Sequence, residues 1–453
     1  MRDCFFKNYI SKLLRKTGLL MLLLLAFFRL HTQNIFLKEL SVGDSVPDIE
    51  FKMVNYPKGN IKLSEFKGKF ILFDFWATWC APCVASFPKL DSLQRKFKDK
   101  IQILPVTYQD KSEVNMLLER MAKVNQIDVP ISAVSDSFLH KMFRRTLIPH
   151  YVWVNDKGIV KFITGQDEIT TENLLKFINN DTFSLPQKND LITKANKYIP
   201  VFLKIPQITI AQDKILFRKD SNYASILTKK IEELSSGTFF DSNRVIGSNL
   251  TIKELFKVAF GARSPAFLSD NRVILNVRDS SLFDYPNKED RPGLVKWFQD
   301  NSYCYEIMVA KQKDTSSVLC LSYMQKDLND FFSSLGITGA KRTVKQRCLI
   351  LRIDSLNKDN ILTAGGAPLL EKNAYYYKMK NLPLSRLVND LRTYYWQKSV
   401  MPLVDLTSLS GNIDLDINAN MSDVDQVRKE IAKFGLEIME GERDIEMIVI
   451  SQK

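Results

Sequence analysis

This 453-residue chain is poor in the residue types that build small disulfide-rich scaffolds or metal centres. It contains six cysteines, three histidines and 17 glycines. Six cysteines spread over this length exclude a small scaffold held together by disulfides. After residue 206 the sequence has no metal-ligand spacing, no glycine-rich phosphate loop and no nucleophile elbow. We therefore interpret the second half as a region for binding a substrate or partner rather than as a second catalytic centre.

Long apolar runs are also scarce, and the one that stands out lies near the beginning. Residues 18–28 are eleven uninterrupted apolar residues that follow a basic stretch, and Arg29 and His31 end the run. This layout is typical of a secretory signal, and the run is shorter than the roughly 20 residues that a membrane span needs. We predict that residues 1–33 are a signal peptide or an N-terminal membrane anchor. Either form places the rest of the chain outside the cytoplasm, in the periplasm or cell envelope.

The chain is basic, with a formal net charge of +13. Its lysines and arginines are mixed with acidic residues along the whole length, and no arginine-rich arm or nucleic-acid motif is present. This pattern favours a solvated basic surface over a site for nucleic acid or for an anionic membrane. The composition, 45% hydrophobic and 25% charged, is that of a globular protein, and the length predicts two or three domains.

Residues 38–180 alternate between strand and helix patterns, as in an α/β fold. Residues 70–76 form an almost continuous apolar run, which predicts a strand buried on both faces. Apolar residues at helical spacing predict a helix over 86–98. The other predicted elements are a strand over 101–107, a helix over 114–124, a hairpin of 151–154 with 159–163, and a helix over 173–178. We expect a mixed central sheet flanked by helices.

The chain changes character after residue 180. Residues 181–206 contain three prolines and lose the periodic pattern, so we predict a linker there. We predict that residues 207–453 form one or more α+β domains of helix–strand units. The elements indicated there are helices over 251–260 and 384–395 and strands over 273–277 and 348–353. A loose repeat relates residues 293–310 to 427–450, because each is a helical pattern followed by strand material.

One segment carries the chemistry, residues 73–83, with the sequence Phe-Asp-Phe-Trp-Ala-Thr-Trp-Cys-Ala-Pro-Cys. A buried strand leads through a tight turn into a helix, and Cys80 and Cys83 straddle the helix start. Free backbone N–H groups and the helix dipole stabilise a thiolate there, and only the thiolate attacks a disulfide. We predict that Cys80, reachable from solvent, attacks and that the deeper Cys83 resolves the mixed disulfide. The spacing leaves half of a zinc site or a structural disulfide open as alternatives.

Asp74 lies six residues before Cys80 on the apolar strand. A carboxylate in such a place is costly unless it has a partner or a role. We therefore predict that Asp74 points under the active site, where a raised pKa would let it accept the proton of Cys83. A strand residue that faces the surface is the alternative.

Residues 75–83 resemble the active site of the thioredoxin superfamily, and with residues 43–48 and 63–69 they resemble its exported TlpA/ResA branch. The resemblance covers residues 38–180 and implies a thioredoxin fold with thiol–disulfide oxidoreductase activity. It also implies a cis-proline that faces the disulfide, and a main chain before it that binds substrate in an extended form. The residues that it implies for substrate contact are Trp79, Ala81, Pro82, Ile148 and Pro149.

Two residues depart from this branch. Ser86 stands three residues after the second cysteine, where many members have glutamate, and Asp74 instead matches the general thioredoxins. The proton relay is therefore expected to be of the thioredoxin type. His150, directly after Pro149, is either a cation that stabilises the thiolate or a partly exposed spacer.

The resemblance implies an enzyme that reduces disulfides in client proteins and receives electrons from a membrane thiol-transfer protein. It implies no cofactor, and we expect no metal and no nucleic-acid partner. A peroxidase is disfavoured because Thr78 is two residues before Cys80, which is not the peroxiredoxin spacing. A different class of function is a redox-responsive envelope protein for binding or sensing, whose C-terminal half is the main functional part.

Two further features concern the C-terminal half. Residues 381–391 and 402–417 resemble a domain of unknown function in exported bacterial proteins. The activity of that domain is uncharacterised, so the resemblance implies architecture alone. Cys304, Cys320 and Cys348 lie in apolar settings, so we expect buried free thiols, with one disulfide among them as the alternative.

Overall fold

The computed structural model describes residues 39–125, 130–145, 147–188, 216–219, 222–232, 234, 236–285, 291–310, 317–353 and 361–453. The predicted signal or anchor segment and most of the predicted linker lie outside these residues. Within them, no helix is both long enough and apolar enough to cross a membrane.

The first domain is a central sheet with helices on both faces. Its strands are β1 (Glu50–Val54), β2 (Asn60–Lys62), β3 (Phe70–Phe75), β4 (Ile101–Val106), β5 (Ser132–Val134), β6 (His150–Val154) and β7 (Val160–Thr164). Its helices are α1 (Ala81–Phe97), α2 (Lys111–Asn125), α3 (Phe138–Met142) and α4 (Thr171–Ile178). The strand order is β2-β1-β5-β4-β3-β6-β7, with β3 parallel to β4 and antiparallel to β6. This is the predicted thioredoxin-like fold.

Strand β3 lies near the middle of the sheet because nearly all of its residues are apolar. All six of its residues are buried. Phe73 and Phe75 pack in a core on one face, while Leu72 packs on the other face with Leu90 and Leu93 of α1. Burial on both faces is what an uninterrupted apolar run predicts. The end of β3 therefore fixes the position of the redox segment that follows it in the chain.

The C-terminal region is α+β, as predicted, and contains three sheets among the described residues. Its strands are β8 (Leu216–Lys219), β9 (Tyr223–Lys229), β10 (Gly237–Asp241), β11 (Arg244–Thr251), β12 (Val273–Asn276), β13 (Ser302–Val309), β14 (Ile337–Ile353), β15 (Leu369–Asn373), β16 (Tyr376–Pro383), β17 (Leu403–Asp405), β18 (Asn412–Ile417) and β19 (Leu436–Gln452). Its helices are α5 (Ile252–Gly261), α6 (Arg291–Asn301), α7 (Ser317–Phe331), α8 (Leu384–Asp390) and α9 (Val424–Ala432). A π-helical turn, Leu391–Tyr395, continues α8.

Two units of this region repeat one order of elements. The first unit, residues 237–353, runs hairpin β10–β11, α5, β12, β13, α7 and the 17-residue β14. The second unit, residues 369–452, runs hairpin β15–β16, α8, β17, β18, α9 and the 17-residue β19. Asn249 and Asn381 have positive φ at the same place in the two hairpins, beside a shift in strand register. Gly336 and Gly435, also at positive φ, each directly precede the long strand.

The sequence predicted a repeat but matched the wrong segments. The predicted partner of 427–450 was 293–310, which forms α6 and β13. Strand β13 lies between β11 and β9 of a five-stranded sheet, whereas β19 is a long strand paired with β14. The helix and strand equivalent to α9 and β19 are therefore α7 and β14, and α6 is an insertion of the first unit.

The two units exchange their short strands. The four-stranded sheet has the order β12-β19-β14-β17, in which β14 and β19 are antiparallel over their full length. Strand β12 of the first unit runs parallel to β19 of the second, and β17 of the second runs parallel to β14 of the first. Neither unit therefore completes this sheet without the other.

Candidate active site

The redox pair lies where the strand-to-helix turn predicts it. Cys80 is the N-cap of α1, and its Sγ accepts a hydrogen bond of 3.3 Å from the backbone N–H of Cys83. Pro82 lies in the first turn of the helix, where a missing N–H costs little. The two cysteines are joined in a disulfide, with Cα atoms 5.3 Å apart. After reduction, the free N–H groups and the positive end of the helix stabilise the thiolate at Cys80.

The prediction that Cys80 is reachable from solvent is wrong in this arrangement of the chain. Cys83 is fully buried, as expected, and Cys80 itself is only 4% exposed. Cys80 belongs to a cluster of buried residues that includes Ala374 and Tyr375 of the C-terminal region. The sequence could not reveal that Cys80 is covered, because the residues that cover it lie almost 300 positions away and match no recognised motif.

Asp74 is inside the protein, so the surface-facing alternative is wrong. It is fully buried, on the face of β3 that packs against α1, and it pairs in register with Tyr151 of β6. Burial raises the pKa of Asp74 to about 7, and the Tyr151 hydroxyl lowers that pKa by a smaller amount. Among the described residues neither carboxylate oxygen has a partner with full hydrogen-bond geometry. A carboxyl with such a pKa can take up and return a proton near neutral pH.

Ser86 connects this acid to the helix that carries the cysteines. Its hydroxyl donates to the carbonyl oxygen of Cys83 at 2.6 Å and lies 3.4 Å from the hydroxyl of Tyr151. Burial raises the pKa of Tyr151 well above its usual value, so this phenol stays protonated. Polar contacts therefore lead from Asp74 through Tyr151 and Ser86 to the backbone carbonyl of Cys83. Tyr151 is not singled out by the sequence, which predicts no pairing between the strand of Asp74 and the strand of Tyr151; the structure shows that pairing.

Neither interpretation of His150 is correct. The side chain is buried, 3% exposed, and its ring lies edge to face against Phe75. Burial, together with the nearby positive charges of Lys188 and Arg145, lowers the pKa of His150 to about 2. The imidazole is therefore neutral at physiological pH and supplies no positive charge to the thiolate.

The loop that carries the predicted cis-proline is as expected. The Ile148–Pro149 peptide bond is cis. Ile148 is half-buried and packs against the cluster that contains Cys80. The ammonium of Lys188 donates to the carbonyl oxygens of Leu147 and Pro149, at 2.6 and 3.0 Å, and so holds this loop from behind. The sequence gave no signal for Lys188, which follows the last helix of the domain.

The other residues predicted to contact substrate form a rim beside the disulfide. Trp79 is 58% exposed, and its indole N–H donates to the Tyr108 hydroxyl at 2.8 Å. Pro82 is exposed and Ala81 is half-buried. Leu147, 62% exposed, lies on the cis-proline loop. Contact of Trp79, Ala81, Pro82, Ile148 and Pro149 with substrate stays a prediction.

The remaining described cysteines are not part of the site. Cys304, Cys320 and Cys348 are free and buried, as expected. Burial raises the pKa of Cys304 and of Cys320 to about 11. These thiols are therefore protonated and poorly reactive.

Comparison with known proteins identifies relatives of the first domain. The model of the Redoxin family matches residues 41–178. A thiol-disulfide oxidoreductase ResA of Geobacillus thermodenitrificans is 30% identical over 159 residues, which are 34% of this chain and 88% of that protein. The ResA of Oceanobacillus iheyensis is 25% identical, over 33% of this chain and 75% of its own. A solved structure from Chlorobium tepidum, a putative thiol:disulfide interchange protein DsbE, is 25% identical with a TM-score of 0.27 and covers 31% of this chain and 99% of its own.

The similarity concerns the first domain, and the matched relatives span about a third of the chain. Residues 41–178 include both cysteines, Asp74 and the cis-proline loop. Through residues 41–178 the chain therefore belongs to the Redoxin family, as a thiol–disulfide oxidoreductase whose redox pair is Cys80 and Cys83.

Proposed function

We propose that the protein reduces disulfides of client proteins outside the cytoplasm. The Cys80 thiolate attacks one sulfur of the client disulfide, and the other client sulfur leaves as a thiolate. The Cys83 thiolate then attacks Cys80 Sγ, which releases the second client sulfur and leaves the Cys80–Cys83 disulfide. Two electrons have passed to the client, and a membrane thiol-transfer protein supplies two more to restore the dithiol.

The observation that carries this proposal is the position of Cys80 at the start of α1. Its sulfur already accepts the backbone N–H of Cys83, and Cys83 follows it within one helical turn. The same donor stabilises the negative charge on Cys80 Sγ before it attacks the client disulfide. The first cysteine is thus arranged to attack, while the buried second cysteine is arranged to resolve.

Asp74 has the pKa that the second step needs. Cys83 is buried and must lose its proton before it attacks the mixed disulfide. A carboxyl with a pKa of about 7 is deprotonated in part at neutral pH and can accept that proton. Ser86 and Tyr151 supply hydroxyl groups next to both residues.

The proposed location of the protein and the proposed direction of electron transfer rest on separate arguments. The apolar run over 18–28, after a basic stretch, supports export. The direction depends on the reduction potential, which varies over some 150 mV among similar folds. Equilibration of the Cys80–Cys83 pair with glutathione buffers measures it. A value near that of thioredoxin supports reduction, and a value as oxidising as that of a disulfide-introducing protein would reverse the direction.

Trapping tests the enzyme itself. In a Cys83→Ser variant the mixed disulfide cannot be resolved, so client proteins should accumulate on Cys80 and be released by reducing agent. The matched control is the Cys80→Ser variant, which keeps one thiol of the pair but lacks the attacking sulfur. We expect bands of higher mass on non-reducing gels with the first variant and none with the second.

A sensing protein is the second candidate, and one observation favours it. Ala374 and Tyr375 of the C-terminal region pack around the redox pair, so the redox state of Cys80 and Cys83 can alter how this region is held. A sensor would accumulate few or no mixed disulfides in the Cys83→Ser variant. Abundant client adducts therefore favour the enzyme.

A further inference from the structure

The redox pair is covered by one turn of the C-terminal region. Residues 374–375 connect β15 to β16 as the two-residue loop of a hairpin. Ala374 is 5% exposed and Tyr375 is 3% exposed, although hairpin tips usually face solvent. Both residues pack in the cluster with Cys80, Cys83 and Trp76 rather than in the core of their own unit.

The turn is held rigidly by its own domain. The backbone N–H of Tyr375 donates to Asn373 Oδ1 at 2.8 Å, and the Tyr395 hydroxyl donates to the Asn373 carbonyl at 2.9 Å. The Met421 N–H donates to the Ala374 carbonyl at 2.8 Å. These hydrogen bonds fix the backbone of the turn from within its own unit. Packing of the Ala374 and Tyr375 side chains against the first domain therefore costs little additional conformational entropy.

Helix α2 provides a second contact for the same hairpin. The apolar side chains of Val114, Leu117 and Leu118 belong to the cluster around Tyr375. On the same helix the Arg120 guanidinium lies 3.8 Å from the centre of the Tyr376 ring, which is the geometry of a cation–π contact. The hairpin therefore lies between α2 and the start of α1.

The equivalent turn of the first unit shows that the fold does not require this contact. Residues 242–243 connect β10 to β11 by the same two-residue loop. Ser242 is exposed and Asn243 is half-buried, and the Asn243 side chain donates to the carbonyl of Val309 in its own unit. The apolar pair Ala-Tyr is thus specific to the turn that covers the disulfide.

The cover leaves part of the docking surface open. Trp79, Tyr108 and Leu147 are 58%, 51% and 62% exposed around the covered disulfide. A protein segment that carries an aromatic or large apolar side chain beside its own cysteine can pack on this rim and occupy the place of Tyr375. Such a segment has the apolar, aromatic character of the turn, and its cysteine places a sulfur next to Cys80.

We propose that the β15–β16 turn is a built-in occupant of the client-docking surface, which keeps Cys80 closed until a protein segment of similar apolar, aromatic character displaces it. The identity of the displacing client rests on the proposed function, whereas the closure of Cys80 by Tyr375 does not. The closed arrangement protects the disulfide from small reductants and selects for macromolecular partners that can compete for the rim.

The test measures how fast dithiothreitol reduces the pair in the full chain. A dithiothreitol thiolate attacks Cys80 Sγ and Cys83 leaves as a thiolate. The second dithiothreitol sulfur then displaces Cys80 and closes the oxidised ring, so two electrons reach the protein. Acid quenching, alkylation and mass spectrometry of the tryptic peptide 70–89 report this pair alone, because the other cysteines lie outside that peptide.

We expect Tyr375→Ala to raise the rate at least tenfold and Asn243→Ala, at the equivalent turn, to change it less than twofold. Tyr375→Phe keeps the ring and should stay within about threefold of the parent chain. The proposal is overturned if Tyr375→Ala is within twofold of the parent, or if Tyr375→Phe is as fast as Tyr375→Ala. Circular dichroism of each variant confirms that the chain is folded.

Failure of this inference is distinguishable from failure of the proposed function. If Tyr375→Ala accelerates reduction while Cys83→Ser traps no client, the cover stands and the reductase function does not. If Cys83→Ser traps clients while the turn variants reduce at the parental rate, the function stands and the cover is wrong.

Discussion

The two units of the C-terminal region share an order of elements but use their first hairpins differently. In the first unit the Ser242–Asn243 turn is polar and bonds within its own unit. In the second unit the Ala374–Tyr375 turn is apolar and lies in the cluster around Cys80. Both turns have two residues and follow a five-residue strand. The difference therefore lies in side chains rather than in backbone design.

This comparison shows how a repeated unit can acquire a new contact without a new fold. The hydrogen bonds that set the second turn come from Asn373, Tyr395 and Met421, and none of them uses the side chain of Ala374 or Tyr375. Burying a tyrosine is favourable in proportion to the apolar area removed from water, at about 25 cal/mol per Å². Two substitutions in a loop can thus decide whether a hairpin faces water or a neighbouring domain.

The largest expected effect concerns Asp74, the fully buried acid of strand β3. Because burial raises the pKa of Asp74 from 3.8 to about 7, the folded chain binds a proton more tightly than the unfolded chain between these values. Stability is therefore lost as pH rises through this window, by about 4 kcal/mol at most. Asp74→Asn should abolish that loss and be the more stable protein at pH 8.

Urea unfolding of the oxidised chain at pH 4.5 and pH 8 measures this effect. The free energy of unfolding should diverge between parent and variant as pH rises. Equal pH dependence of the two proteins would mean that Asp74 is not a buried carboxyl with a raised pKa.

Grafting one turn onto the other tests the comparison directly. The double variant Ala374→Ser with Tyr375→Asn copies the solvent-facing turn onto the second unit. It should accelerate reduction by dithiothreitol about a hundredfold, which corresponds to about 2.7 kcal/mol. The reverse graft, Ser242→Ala with Asn243→Tyr, should leave the rate within twofold, since the first turn does not cover Cys80. A fast reverse graft or a slow forward graft would contradict the assignment.

Replacing Asn249 and Asn381, the asparagines at positive φ in the two hairpins, should destabilise the protein by different amounts. Asn249 is buried, and its side chain accepts from the Ile231 N–H and donates to the Ile231 and Leu234 carbonyls. The Asn381 side chain is bonded to Gly366 and Asn412 and is half-buried. We expect Asn249→Ala to lower the free energy of unfolding by about 2–3 kcal/mol and Asn381→Ala by about 1 kcal/mol. Thermal unfolding that ranks the two variants in reverse would contradict the larger stabilising role assigned to the buried Asn249 side chain.

The smallest expected effect is that of Arg120. Arg120→Ala removes the cation–π contact with Tyr376, which is worth about 0.5–2 kcal/mol. It also removes a buried guanidinium nitrogen, Nη1, that has no hydrogen-bond partner among the described residues, and this offsets part of the loss. We expect reduction by dithiothreitol to be about threefold faster. An exposed arginine of the first domain, Arg95→Ala, is the control and should leave the rate unchanged.

The first domain was predictable because its determinants are local. The apolar run of β3, the cysteine spacing and the helix that follows lie within 30 residues of one another. Asp74 was recognisable for the same reason, since a lone acid on a buried strand demands an explanation. The cis-proline could be assigned only through the family resemblance, because a sequence does not show the state of a peptide bond.

The features that the sequence did not predict all depend on contacts between residues that are far apart in the chain. His150 is buried by the packing of Phe75, and Lys188 reaches the loop from beyond the last helix. The repeat was matched to α6 because helix and strand patterns cannot distinguish a middle strand from the long strand of the shared sheet. The cover of Cys80 was invisible for the same reason, as its two residues show no pattern of their own.

The exchange of short strands bears on the order in which the molecule is assembled. The core of the second unit includes Leu436 and Ile438 of β19, so the turn at 374–375 has no finished support until that strand has been made. The elements of the first domain end at Ile178, and they need none of those later residues to pair. The strands of the first domain can therefore pair before the turn that covers Cys80 has its full support, so the cover is completed after the redox site.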